Sequence, residues 1–348
     1  FSRPIGTGPG QVQLTGGGFA AAATKLTVNL GAGSTLNMTN TLILSSAQAL
    51  ADVEFQNPIN LGTSPRTIQV DDNTNTALDF ATVSGVISGG GANLISLAKT
   101  GGGNLILSGA NVYTGTTQVT SSGYSALIVR SIGAAGATSS NLGTNVGGGS
   151  LYLGSSGTPG ILMYVGPVEV TTRPIGLYGT TGGGTIDSSG SGPLVLTNVL
   201  NIGAGAKPLT LRGFNTDINL VTSTLADNGG ALSVTKSDGG VWALAPSLGS
   251  NSFTGAINVN AGLLGLTALS IGSASSVALN NGGVFAYGGA LTSGSLFTIA
   301  NNTTGYFAGS GSIALTGNLN GLSGTGGGVV TINNSLDNGA LLDRKSVV

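Results

Sequence analysis

Short alternations of apolar and small polar residues run along almost the whole chain. Val, Ile and Leu alternate with Thr, Ser or Asn, and clusters of Gly, Asn and Ser separate one alternation from the next. A period of two predicts short β-strands joined by tight turns. The clearest predicted strands are Leu26–Leu30, Leu105–Leu107, Leu194–Leu196, Leu209–Leu211, Ile257–Val259 and Val329–Ile332.

Helical periodicity is weak. Ala20–Ala23 and Ser45–Glu54 could each form a single turn, but neither sustains the period of about 3.6 residues that a helix requires. Short strands that recur roughly every 8 to 12 residues fit either a β-sandwich array or a parallel β-helix.

The composition narrows the class of protein. Gly accounts for 63 of the 348 residues, and only 7% are charged, against about 7% Gly and about 25% charged residues in ordinary domains. A mean hydropathy of +0.34 and 40% hydrophobic residues supply the buried surface that disordered chains lack. The glycines have no three-residue period, which excludes collagen. A β-rich repeat protein remains.

Several kinds of chemistry are excluded by the residues the chain lacks. It contains no Cys and no His, so disulfides, thiolate or imidazole metal sites and His-dependent nucleophile systems are impossible. No Gly-Lys pair is present for a phosphate loop. The 11 basic residues form no stripe and the net charge is −1, which argues against nucleic-acid binding. We therefore predict no catalytic, cofactor-binding or metal-binding residues.

Carboxylates are the best remaining catalytic candidates. Asp71 and Asp72, with Asp79 and Arg66 nearby, form the only local cluster. Adjacent strand residues point to opposite faces, so we expect a solvated turn here, with Asn73 exposed. Asp187 and Asp238 adjoin Gly-rich segments and are predicted to be turn residues.

Aromatic residues allow two interpretations. They are expected to fill the core or to secure turns, and the alternative is a platform on which carbohydrate rings stack. The residues concerned are Tyr113, Phe253, Trp242, Tyr287 and Tyr306.

An internal repeat appears at residues 97–129 and 232–264. Each copy places a Lys before a Gly-rich turn, then an apolar alternation, then Asn-x-aromatic-Thr-Gly and a Val four residues later. We predict that each Asn lies at a corner of the fold, where it pairs backbone groups and tolerates left-handed conformations, while the Gly provides a second bend and the aromatic ring packs inward. The predicted structural positions are Lys99, Gly101, Asn111, Tyr113 and Gly115 in the first copy, and Lys236, Asn251, Phe253 and Gly255 in the second.

The pattern from Lys99 to Val119 resembles the autotransporter-associated β-strand repeat. The second copy departs from it, with Ser237-Asp238 in place of Thr-Gly, Trp242 in the strand and three extra residues before Asn251. The resemblance implies a right-handed parallel β-helix, a β-solenoid, in the passenger region of a large exported bacterial protein.

Elementary packing favours the same fold. A coil of about 20 to 30 residues points apolar side chains inward and pairs its backbone with the coils on either side. We expect residues 1–342 to form the solenoid as an interior fragment, because no polar cap is recognisable. Residues 343–348 hold three charges in six positions and are expected to be a non-native tail.

The expected function is a non-catalytic, exported stalk or adhesin scaffold at the bacterial cell surface, associated with the outer membrane through an anchor outside this chain. Partners are unknown, and host-cell or matrix glycans or proteins are candidates. Two alternatives remain open at this point. One is a carbohydrate-active β-helix enzyme, a polysaccharide lyase or hydrolase, and the other is a self-assembling surface or matrix filament.

Overall fold

The computed structural model describes residues 1–91, 95–121, 123, 125–134, 136–144, 149–299, 303–308, 311–315, 319–320 and 329–332. The expected tail at 343–348 lies outside these residues. The fold is all-β, with parallel strands stacked as a β-solenoid. This confirms the predicted fold class and excludes the sandwich alternative.

The strands are short. In chain order the first seventeen are β1 (Gly17–Phe19), β2 (Leu26–Val28), β3 (Leu36–Asn37), β4 (Leu42–Leu44), β5 (Val53–Phe55), β6 (Ile59–Asn60), β7 (Arg66–Val70), β8 (Ala81–Val83), β9 (Ile87–Ser88), β10 (Ile95–Thr100), β11 (Leu105–Leu107), β12 (Thr116–Val119), β13 (Leu127–Val129), β14 (Leu151–Leu153), β15 (Gly160–Tyr164), β16 (Glu169–Thr171) and β17 (Ile175–Leu177).

The remaining strands are β18 (Gly184–Ser188), β19 (Leu194–Leu196), β20 (Val199–Asn201), β21 (Lys207–Arg212), β22 (Ile218–Val221), β23 (Leu232–Lys236), β24 (Val241–Leu244), β25 (Ile257–Val259), β26 (Leu263–Leu266), β27 (Val277–Leu279), β28 (Gly283–Ala286), β29 (Leu291–Ser293), β30 (Phe297–Ile299), β31 (Thr304–Ala308), β32 (Ile313–Leu315), β33 (Leu319–Asn320) and β34 (Val329–Ile332). A single 3-10 turn at Leu30–Ala32 is the only helical element among the described residues.

The chain divides into two compact units. The first comprises Phe1–Gly166 and Thr171–Gly184. Its strands form sheet A in the order β1-β4-β7-β10-β12-β14-β17, sheet B in the order β2-β5-β8-β11-β13-β15, and sheet C in the order β3-β6-β9. Strands that neighbour each other in a sheet are two or three apart in sequence, because the chain visits the other sheets before it returns. This order is that of successive coils.

The second unit comprises Pro167–Val170 and Thr185–Val348. Sheet D has the order β18-β21-β23-β25-β27-β30-β33, sheet E the order β16-β19-β22-β24-β26-β28-β31-β34, and β29 pairs with β32. Paired residues are as few as 20 positions apart, as in Val277 and Phe297. In the first unit they are as many as 35 apart, as in Leu127 and Leu162.

The alternation in the sequence places every second side chain inside. Leu105 and Leu107 in β11 are fully buried, as are their register partners Leu127 and Val129 in β13. Since the same pattern recurs in each coil, apolar side chains of one coil lie on those of the next. Burial of this kind contributes roughly 25 cal/mol per Å² of apolar surface.

The predicted strands occur, with one shortened. β11, β19, β25 and β34 have the predicted bounds, and β21 extends the predicted one at both ends. The strand expected over Leu26–Leu30 ends at Val28, because the buried Asn57 side chain accepts from the Leu30 N–H and donates to the Leu30 carbonyl, which draws Leu30 into the 3-10 turn.

Neither helical candidate forms a helix. Ala21 and Ala51, one from each candidate segment, instead make an isolated antiparallel bridge.

Candidate functional site: the repeat positions

The two repeat copies have the same order of strands and turns. In the first, Lys99 lies in β10, Asn111 follows β11, and Gly115 immediately precedes β12. In the second, Lys236 ends β23, Asn251 follows β24, and Gly255 precedes β25. In both copies the intervening strand belongs to a different sheet, and the chain then returns to pair with the strand that holds the lysine.

Both repeat lysines are fully buried. The Lys236 ammonium donates to the carbonyl oxygens of Ser237 (2.5 Å), Asp238 (2.7 Å) and Ala261 (3.2 Å). The Lys99 ammonium donates to the Gly101 carbonyl at 3.1 Å. These bonds pair carbonyls of turns, and the Gly101 carbonyl also accepts from the Ser125 hydroxyl.

Burial changes the acidity of these lysines. Desolvation lowers the pKa of Lys99 to about 8, and the charge of Asp72 opposes the change. Desolvation likewise lowers the pKa of Lys236 to about 8, opposed by the charge of Asp238. A buried ammonium is costly because the interior disfavours the charged form. The turn carbonyls are therefore satisfied at an electrostatic cost.

Asn111 joins three successive passes of the chain. Its side chain is fully buried; Oδ1 accepts from the Ile87 N–H at 2.8 Å and Nδ2 donates to the Asn141 carbonyl at 2.7 Å. Ile87 lies 24 residues before it and Asn141 lies 30 residues after it. An amide has both a donor and an acceptor, so one side chain links the coil below to the coil above.

Asn251 makes the same link in the second unit. Oδ1 accepts from the Leu225 N–H at 2.8 Å, and Nδ2 donates to the Ser270 carbonyl at 2.7 Å. Neither Asn111 nor Asn251 has a positive φ. The expected reason for asparagine, its tolerance of left-handed conformations, is therefore wrong at both positions. The two hydrogen bonds across coils are the reason that the structure gives.

The aromatic residue of each copy is buried. Tyr113 and Phe253 are fully enclosed, and the Tyr113 hydroxyl lies 2.6 Å from Thr117 Oγ1. Burial raises the pKa of Tyr113 to about 12, against the smaller effect of that hydrogen bond. Trp242 is also fully buried and donates to the Arg212 carbonyl. These three rings are not available as a carbohydrate platform; Tyr287 and Tyr306 are half-buried.

The glycines of the repeat serve different purposes. Gly101 and Gly115 have φ of +84° and +87°, which glycine adopts without strain. Gly255 does not have a positive φ. Gly255 nevertheless lies in the expected bend, and a Cβ there would lie 2.4 Å from the Leu232 carbonyl oxygen, so this position needs glycine because two coils approach closely at the bend.

Sequence reasoning missed two further buried cations. Arg173, fully inside the first unit, donates to the carbonyls of Ile132 (2.8 Å), Gly143 (2.9 Å) and Gly149 (3.2 Å). Lys207, buried in the second unit, donates to the Gly203 carbonyl. Neither residue belongs to the repeat, and their acceptors come from backbone that no local pattern identifies.

Buried asparagines outside the repeat were also missed. Asn57 and Asn219 are fully buried. Asn219 accepts from the Leu194 N–H and donates to the Val241 carbonyl, both at 2.8 Å. An apolar-flanked Asn such as Ile218-Asn219-Leu220 is the signal that could have found it, because an asparagine at an inward strand position must be paired.

The acidic residues differ from expectation in two places. Asp187 lies in β18, not in a turn; it is buried and forms an ion pair with Arg212 at 2.8 Å. Asn73 is buried, not exposed, since it donates to the Ala49 carbonyl and its N–H is bound by Asp79. Asp238 has a φ of +58° and lies in a turn, as predicted.

The described residues contain no cluster of three or more Asp or Glu that could hold a metal ion. Within the same part of the chain, no helix is long and apolar enough to cross a membrane.

Parallel coils are linked by buried Asn and Lys side chains and approach each other closely at Gly. These features define this protein as a β-solenoid built from repeats. The Passenger-associated-transport-repeat family matches residues 97–123 and 234–266, which lie on the two repeat copies. The chain is also 34% identical over 143 residues to the adhesin BmaC autotransporter of Brucella suis biovar 1 (strain 1330). The predicted autotransporter passenger repeats are thereby confirmed.

The alignment with the Brucella protein covers 39% of this chain and 4% of that protein. No solved structure matches the chain.

Proposed function

We propose that this chain is a segment of a non-catalytic, adhesin-type stalk that a bacterium exports to its surface. The observation that carries the proposal is the use of the repeat positions, which link one coil to the next through Asn111 and Asn251. A stalk needs each coil to be held to its neighbours, because a solenoid is stabilised by contacts between adjacent repeats. The passenger-repeat matches and the adhesin relative support the same assignment.

The non-catalytic part of the proposal is supported by how the carboxylates are used. Asp79 accepts from the Asn73 N–H at 2.6 Å, and Asp71 accepts from Gln69 at 2.7 Å. Asp187 is paired with Arg212. Groups bound in this way stabilise turns and strands, whereas general acid–base chemistry needs carboxyl groups directed at a substrate.

Surface display can be tested directly in the bacterium that encodes the chain. Antibodies raised against the purified chain should label intact cells, and external protease should remove the label without breaking the cells. A signal obtained only after lysis would contradict export to the surface.

Adhesion requires a separate measurement. Inert beads coated with the chain should bind host cells or matrix glycoproteins more than beads coated with heat-denatured chain. A stalk that only supports adhesive segments elsewhere in the protein would show surface labelling without bead binding, and the word adhesin would then not apply to this segment.

The enzyme alternative has its own test. Pectins, alginates and other polysaccharides incubated with the chain should release no product above a buffer blank. Product release that is lost in Asp71→Ala or Asp72→Ala would overturn the non-catalytic proposal.

A further inference from the structure

The outward side of sheet E in the second unit is apolar. Its first outward row runs across consecutive strands through register partners, and the row consists of Val195, Leu220, Ala243, Gly265, Phe285 and Ala308. The residues before and after each of these in the strands point to the core, as the buried Trp242, Leu264 and Val284 show. A strand alternates its faces, so this row lies on the outer side, where Val195, Leu220, Phe285 and Ala308 are half-buried and the small Ala243 and Gly265 are covered by their neighbours.

A second outward row lies two residues nearer the start of each strand. It consists of Ile218, Val241, Leu263, Gly283 and Tyr306. Ile218 is 40% exposed, and the other large side chains are half-buried against one another. We call the two rows together the apolar face. Neither row contains a charged residue.

Sheet D of the same unit provides the contrast. Its corresponding outward row is Thr210, Thr235, Asn258, Ala278 and Thr298. Both sheets belong to the same coils, and within this unit sheet E has Val, Leu, Ile and Phe at outer positions where sheet D has Thr and Asn. The difference is therefore not a consequence of the composition of the chain.

The apolar face is flat. The Phe285 ring lies over Gly265, since a Cβ on that glycine would be 2.6 Å from Phe285 Cζ. Tyr306 and Leu263 close over Gly283 in the same way, at 2.8 Å and 2.9 Å. The glycines leave no hollow that could admit a side chain or an acyl chain, because the neighbouring strands already fill the space.

These features specify which kind of partner surface can pack on the apolar face. The partner surface must be uncharged and apolar, since the face offers no charge to select a charged one, and it must be flat. Another sheet face with the same strand spacing of about 4.8 Å meets these conditions, and two such faces pack about 10 Å apart. The apolar face on a second copy of this chain is a surface of that kind.

We propose that the apolar face of sheet E is a self-association surface, on which two copies of this chain pack face to face. A row of six residues beside a row of five gives an area on the order of 300 Å² per copy, from a strand spacing of about 4.8 Å and a rise of about 3.3 Å per residue. Stable complexes bury about 800 Å² per partner. The association is therefore weak and reversible, and it becomes important where many copies are held close together.

Sedimentation velocity of the full chain over a wide concentration range tests the proposal. Ile218→Lys and Val241→Lys place charges at register partners on the apolar face, and Thr210→Lys and Thr235→Lys do so at register partners on sheet D. We expect the wild-type chain to dimerise reversibly and the first pair of variants to raise the dissociation constant more than about tenfold, because a charge would be buried in the contact. The sheet D pair should change it by no more than about twofold.

Folding is checked in each variant by far-UV circular dichroism, and Ile218→Thr, which copies the polar row of sheet D, replaces any lysine variant that unfolds. A wild-type chain that stays monomeric at every concentration overturns the proposal, as does a dimer that both pairs of variants weaken equally. A monomer that floats with neutral phosphatidylcholine vesicles, and loses this on Ile218→Lys, would assign the face to lipid instead. The experiment uses only purified chain, so its failure is separate from failure of the adhesion assay.

Discussion

Lys99 in β10 is the register partner of Val119 in β12. Lys236 and Val259, the corresponding residues of the second copy, are register partners as well. The segment from the lysine to this valine is therefore one coil of the solenoid in both copies, since its first and last shared positions lie side by side. The three extra residues of the second copy fall in the turn between β24 and Asn251, where Leu248 is 83% exposed, so they lengthen a loop and leave the register intact.

The buried lysines predict that stability rises with pH above neutrality. Their pKa is about 8 in the folded chain and 10.5 in the ordinary state, so between these values the unfolded chain binds more protons. The free energy of unfolding must then increase with pH, by up to roughly 3 kcal/mol per lysine. Urea melts at about pH 7 and about pH 9 should show the first part of the rise, about 1.4 kcal/mol per lysine.

Variants assign the effect to the two lysines. The double change Lys99→Met and Lys236→Met should remove most of the rise, with a smaller part left to Lys207, whose pKa is also lowered by burial. Lys25→Met is the matched control, because Lys25 is half-exposed and paired with Asp52 and Glu54.

Above pH 10 the raised pKa of Tyr113 lowers the free energy of unfolding as the pH rises, since only the unfolded tyrosine ionises there. A wild-type stability that stays level or falls between the two pH values contradicts the prediction.

The local pattern of apolar and polar residues was sufficient to predict the strands and the coil that the repeat forms. Leu105–Leu107 and Ile257–Val259 were predictable residue by residue, because an alternating apolar strand bounded by Gly and Asn has few other structures open to it. The burial of Tyr113 and Phe253 followed from their place in a repeat that each coil must accommodate.

Partners on other coils were not predictable. Asp187 looked like a turn residue, because its partner Arg212 lies 25 residues away in the next coil. Asn219 and Arg173 have acceptors 22 to 41 residues distant. Coil length varies along the chain, so the sequence does not say which residue stacks on which until the register is known.

Asn111→Ala should lower the free energy of unfolding by about 1 to 3 kcal/mol, the usual cost of leaving buried polar groups unpaired. The Ile87 N–H and the Asn141 carbonyl would both lose their partner. Asn37→Ala is the control, since Asn37 is exposed and accepts a single bond from Asn60; its effect should stay within about 0.5 kcal/mol. Denaturant melts of the two variants compare them, and equal small losses would show that Asn111 does not hold the coils together.

Gly255→Ala should destabilise the second unit by about 1 to 3 kcal/mol, as overpacking does. The added Cβ would meet the Leu232 carbonyl oxygen at 2.4 Å, and backbone cannot move aside as a side chain can. Gly239→Ala adds a methyl group whose nearest neighbour is Phe214 at 4.0 Å, without a positive φ. It should be neutral or stabilise by up to about 1 kcal/mol. Thermal melts would contradict the close-approach argument if both variants behaved alike.

Arg173→Met should destabilise the first unit. The guanidinium holds the carbonyls of Ile132, Gly143 and Gly149 together in the first unit, and methionine fills part of the space but pairs none of them. The Ser140 hydroxyl also donates to the Ile132 and Gly143 carbonyls, so losing the guanidinium bonds should cost about 2 to 3 kcal/mol. The loss should appear as a lower urea midpoint with an unchanged slope, since the folded core is retained.

Two further variants separate the hydrogen bonds of Arg173 from its charge. Arg173→Lys keeps the charge but lacks the fork of donors, so it can reach only some of the carbonyls and should fall between wild type and Arg173→Met. Arg130→Met removes a positive charge at an exposed position and should change stability by no more than about 0.5 kcal/mol. If Arg173→Met were as stable as wild type, the three carbonyls would have to be satisfied without the guanidinium. If Arg173→Lys restored full stability, charge alone would explain the position, and the forked geometry would not matter.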